Sequence, residues 1–94
     1  MVESNRITIL VDDGAVYLDE WTYINLDLHT CGIPEDIHAL HWLDGKGQLE
    51  FRDSRHNQLI SELPDWAIKS IALWETAYTL YPPEANSSHI HIEK

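Results

Sequence analysis

Residues 33–51, IPEDIHALHWLDGKGQLEF, decide how the chain is read. Ile37, Ala39, His41 and Leu43 alternate with His38, Leu40 and Trp42, which is the period-two signature of a strand. Asp44-Gly45-Lys46-Gly47 then supplies residues that tolerate the positive φ of a tight turn. Leu49 and Phe51 continue on a common face beyond it. The stretch predicts a β-hairpin, and two hydrophobic runs joined by Asp-Gly are a strong short-range signal for one.

On the N-terminal side the same grammar repeats. Ile7, Ile9 and Val11 share one side of a strand, Asp12-Asp13-Gly14 supplies a turn, and the run resumes from Ala15 to Leu18. A turn at Asp19-Glu20 and a third short strand from about Trp21 to Leu26 would complete a meander. HTCGIPED, residues 29–36, reads as a loop because Gly32 and Pro34 punctuate it and Glu35-Asp36 keep it in water.

On the C-terminal side RDSRHNQ, residues 52–58, reads as a polar loop. Leu59, Ile60 and Leu63 lead into Pro64, whose missing N–H suits the first turn of a helix, and Asp65 favours the same end through the helix dipole. The pattern is helical over residues 64–81, and Pro82-Pro83 stops it. Two apolar stripes run along this helix. Ala67, Ile71, Trp74, Tyr78 and Tyr81 form one, and Trp66, Ser70, Leu73, Ala77 and Leu80 the other. One stripe suffices to cover a small sheet, so the second is either deeper core or a contact surface.

These elements predict an α+β fold, an antiparallel β-meander of four to five strands packed against one C-terminal amphipathic helix. Residues 1–82 form a single domain on this reading. Residues 83–94 are a C-terminal tail or an edge strand, the latter because His89, Ile90, His91 and Ile92 alternate.

Ninety-four residues with 44% apolar content suffice for one modest core. No run approaches the roughly 18 apolar residues of a membrane helix, and the N-terminus has no basic region leading into an apolar one. The sequence therefore predicts a protein of the cytoplasm with no membrane partner. The net charge is −10, with ten acids against Arg6 and Lys46 in residues 1–50. Such a surface repels phosphate backbones, which argues against nucleic acid as a partner. It suits solubility or a basic protein partner.

The chemistry-bearing residues predict no catalytic site, no cofactor and no metal. Cys31 is the only cysteine and reads as a small buried or turn residue. Among six histidines only His89 and His91 would share a strand face, and they lack a third ligand nearby in sequence, while His38 and His41 fall on opposite faces. Asp12-Asp13 and Glu35-Asp36 sit in predicted turns, where carboxylates serve the backbone. Ser87 and Ser88 adjoin His89 in sequence only, without the oriented base a nucleophile needs. The four glycines fall at turns and build no phosphate loop.

What remains is surface. Trp66, Trp74, Tyr78 and Tyr81 on the helix, with Trp21 and Trp42 in the sheet, are amphipathic side chains of the kind that anchor interfaces. Trp66 and Trp74 read mainly as core, whereas Tyr78 and Tyr81, near the helix end, read as partner contacts. A two-stripe helix also fits a homodimer.

The order ITILVDDGAVYLDEW (residues 7–21), LDL (26–28), CGIPEDIHALHWLDGKGQLEF (31–51) and ISELPDWAIKSIALWETA (60–77) resembles small phage and prophage proteins encoded beside tail-fibre genes, described as tail-fibre assembly or chaperone-like proteins. The likeness covers roughly residues 6–78. Family members tend to continue from the helix into an Ala/Glu/Lys-rich extension, whereas this chain turns to YPPEANSSHIHIEK. The resemblance implies a non-enzymatic assembly factor that binds the tail-fibre protein in the host cytoplasm, staying on the virion or leaving it. The fibre is a β-rich trimer whose edges can mispair before assembly, and the exposed edge of the hairpin could accept a strand from it. The alternative reading is a phage-encoded acidic inhibitor of a host defence complex, acting by protein binding and mimicking nucleic-acid charge.

Overall fold

The computed structural model describes residues 6–18, 21–53 and 55–82. Among these residues six strands come first: Ile7–Leu10 (β1), Ala15–Leu18 (β2), Trp21–Tyr23 (β3), Ile37–Leu43 (β4), Lys46–Phe51 (β5) and Gln58–Ile60 (β6). One helix, Asp65–Leu80 (α1), follows. This is the expected α+β arrangement, with more strands than the four to five predicted. The strands form one sheet in the order β3-β2-β1-β4-β5-β6, and every neighbouring pair is antiparallel. Two three-stranded meanders thus lie side by side, joined where β1 pairs with β4. The expected turn at Asp19-Glu20 and the tail of residues 83–94, with Ser87, Ser88, His89 and His91, lie outside the described residues.

The first meander is set by Gly14. Its φ is +59°, and a Cβ there would stand 2.7 Å from the Leu26 carbonyl oxygen, so both conformation and space demand glycine. The chain after β3 folds back onto this turn, the Leu26 N–H donating to the Gly14 carbonyl at 2.9 Å. Asn25 takes a left-handed φ of 62° to do so. The third strand therefore stops at Tyr23 instead of reaching Leu26.

In the second meander the tight turn is Asp44-Gly45, both at positive φ, with Leu43 and Lys46 already paired across it. Gly47 belongs to β5 rather than the turn. A Cβ there would meet the Trp42 ring and the His41 carbonyl, each at 2.8 Å. At the other end of β4 the register jumps between Ile37 and Ala39, leaving His38 as an extra, bulged residue. The bulge corrects the predicted face. Ile37 joins Leu40 and Trp42 in the core, while Ala39, His41 and Leu43 point the other way.

One sheet face carries Ile7, Ile9, Val16, Leu18, Leu40, Trp42 and Leu49, all buried in a single cluster with Trp66, Ala67, Trp74 and Ala77 of α1. Residues 28–31, of which His29 to Cys31 read as the start of a loop, form a 3-10 turn that delivers Leu28 and Cys31 to the same cluster, and α1 packs on this turn and on β2. Pro64 is the residue that precedes the helix, its carbonyl accepting from the N–H groups of Ala67 and Ile68. Ser70 is fully buried, and its hydroxyl donates to the Trp66 carbonyl at 2.8 Å. Among the described residues no helix is long and apolar enough to cross a membrane.

Candidate docking surface at the end of the helix

The two apolar stripes of α1 do not share one fate. Burial draws on both in the first three turns, taking Trp66, Ala67, Ser70, Trp74 and Ala77, with Ile71 and Leu73 partly covered. Beyond Ala77 the side chains of the helix end are exposed. Tyr78 is 41% exposed, Leu80 64% and Tyr81 51%. Of the four aromatic residues expected to bind a partner, Trp66 and Trp74 are thus core residues in this fold. Tyr78 and Tyr81 are on the surface, as is Leu80, which projects from another side of the helix.

This apolar end is held by buried aromatics. The Tyr23 ring meets Trp74 edge-on, with centroids 5.8 Å apart, and Trp74 meets Tyr78 at 5.0 Å with the rings inclined at 31°. The Tyr23 hydroxyl donates to the carbonyl of Tyr81 at 2.6 Å, satisfying one of the acceptors that a helix leaves at its C-terminus. The Trp74 indole N–H donates to the Trp21 carbonyl at 3.1 Å on the sheet's edge strand. Burial pushes the Tyr23 phenol above its ordinary value of 10.0, and the neighbouring Tyr78 adds to the shift. Residues 78–81 therefore stand on a rigid footing, which lowers the ordering cost of binding anything to them.

A group of ion pairs gathers around the turn between β1 and β2 and the ends of β4 and β5 beside it. Arg52 joins Asp12 at 2.7 and 3.0 Å and donates to the Glu35 carbonyl at 2.9 Å. Arg55 pairs with Asp36 at 2.7 Å and Asp53 at 3.0 Å, and its guanidinium lies 4.2 Å over the Phe51 ring. Hydrogen bonding to Arg52 holds the Asp12 carboxyl below its ordinary 3.8, and Arg55 does the same to Asp53. His38 lies 3.5 Å from Asp12, whereas His41 meets Glu50 at 2.8 Å. Each histidine thus has its own carboxylate. Among the described residues no three His, Cys, Asp or Glu side chains form a metal-holding group. Cys31 is buried.

Sequence reasoning missed the part Tyr23 plays. The signal was present in β3, where Tyr23 shares a face with Trp21 by period two, but only the packing of α1 reveals why. Neither family models, curated proteins nor solved structures match the chain.

Proposed function

We propose that the chain is a non-enzymatic tail-fibre assembly factor of phage or prophage origin, which binds the fibre protein through Tyr78, Leu80 and Tyr81. The observation that carries this reading is the exposed apolar helix end braced from below by Trp74 and Tyr23. A rigid, partly aromatic patch on a chain of net charge −10 is suited to shielding an apolar or basic part of a client while keeping the pair in solution. The residue order shared with tail-fibre assembly proteins supports the choice of client.

Co-expression with the C-terminal fragment of the accompanying tail-fibre protein tests it. The expected result is more soluble fibre trimer and co-purification, both lost in Tyr78→Ala/Tyr81→Ala. That variant keeps the Tyr23 contact, because Tyr81 accepts through its backbone. Equal trimer yield with and without the chain would sink the proposal.

The inhibitor reading draws on the acidic rim, where Asp12, Asp36 and Asp53 stand together. It receives less support, because Arg52 and Arg55 lie between those carboxylates and neutralise them locally.

A further inference from the structure

The sheet face opposite α1 is uncovered by any described helix, and its residues fall into three rows. Following the strand pairings, Leu59, Gln48, His41, Thr8, Tyr17 and Thr22 form a single line across all six strands. On one side of it lie Leu43 and Lys46, and Arg6, the residue before β1, continues the row by alternation. On the other side lie Glu50, Ala39, Leu10 and Ala15. The first outer row is long-chained and basic. The second is small and carries one acid.

We propose that this face binds a second copy of the chain, the two sheets packing face to face about a two-fold axis that runs along the central row. An isologous interface requires a surface complementary to itself. Rotation about the central row lays each outer row over the other. Leu43 then sits above Ala39 of the second copy, and Lys46 above its Glu50. Ala15 and Ala39 belong to this side of the sheet by register and, with their short side chains, form its floor, almost fully buried. Opposing side chains would fill such a floor as they do in a β-sandwich.

Charge and area agree with this occupant. Within these three rows Glu50 is the only acid, and the axis sets it against Lys46 of the second copy and not against a carboxylate. Thirteen positions, each about 4.8 Å by about 6.7 Å, offer about 400 Å² per copy, or about 800 Å² together. That is below the size of a stable interface and points to a weak, concentration-dependent dimer. The helix end with Tyr78 and Tyr81 stays outside the interface, so this inference stands apart from the fibre-binding proposal.

Sedimentation equilibrium of the full 94-residue chain over a wide concentration range is the test. The expected result is a monomer–dimer equilibrium whose Kd rises about tenfold or more in Leu43→Glu and in Lys46→Glu, both exposed positions with no role in the core. Lys46→Glu/Glu50→Lys, which reverses the charges and restores their match across the axis, recovers most of that loss. A chain that stays monomeric at the highest concentration would overturn the proposal. So would a dimer indifferent to Leu43→Glu, or one broken by Tyr78→Glu instead, which would place the contact on the helix.

Discussion

Tyr23 links three otherwise separate facts: the end of an edge strand, the aromatic cluster under the helix and the carbonyl at the helix terminus. Its phenol is buried, and its hydrogen bond to the Tyr81 carbonyl spans 58 residues of sequence. Tyr23→Phe keeps the ring packing and removes only the donor. The expected loss is about 1 kcal/mol, the usual net value of one partly buried hydrogen bond. Urea unfolding would show this as a lower midpoint with an unchanged slope. Amide exchange should also quicken in residues 77–81 before it quickens in the sheet, because the last turn loses its anchor. Uniform acceleration along the helix would mean that Tyr23 acts through the core and not through the helix end. The candidate surface was legible at this scale in part. Tyr78 and Tyr81 are visible in the sequence as the end of a stripe, and the break at Pro82 says that the stripe outlasts its support. The role of Tyr23 was not legible, since no local pattern announces a contact across so long a separation.

Among the elements, the hairpin of β4 and β5 was read most directly, because its turn and its alternation are both local. Two details escaped even there. The bulge at His38 shifts Ile37 onto the core face, and its cause is pairing with β5 rather than anything in IHAL. Gly47 looks like a turn glycine, yet it pairs within β5, and glycine is required there because the Trp42 ring occupies the space above it. Gly47→Ala should therefore cost about 1–3 kcal/mol through overpacking, since the indole and the strand backbone would both have to give. A lowered thermal midpoint together with a changed near-ultraviolet signal from Trp42 would confirm the cause. A loss of stability without spectral change would assign the cost elsewhere. β6 was missed for a different reason. Its three residues have too short a run to show a period, and only the free edge of β5 makes them a strand. The turn at 28–31 was likewise hidden, because Leu28 and Cys31 gain their apolar role only when α1 lies over them.

At the scale of the molecule, the sequence shows a meander and a hairpin but not their adjacency, since β1 and β4 meet through pairings about 30 residues apart that no local signal encodes. The seam between the halves is reinforced at one end. Arg52, just after β5, holds Asp12 in the turn between β1 and β2 while donating to the Glu35 carbonyl before β4. The Val11 N–H also crosses the seam to the His38 carbonyl at 3.1 Å. Because Arg52 lowers the Asp12 value below 3.8, the folded state releases that proton more readily than the unfolded chain does. The pair's contribution is therefore complete above pH 3.8 and disappears as the pH falls through the lowered value. Both side chains are about half exposed, so the effect is modest and screened by salt. Arg52→Gln should unfold at lower urea than the wild type near neutral pH, and the two curves should converge once the pH is well below 3.8. Raising the salt concentration should narrow the gap near neutrality. A gap that stays constant through the acid range would show that Arg52 serves the seam through its bond to the Glu35 carbonyl, and that the carboxylate of Asp12 contributes nothing to joining the halves.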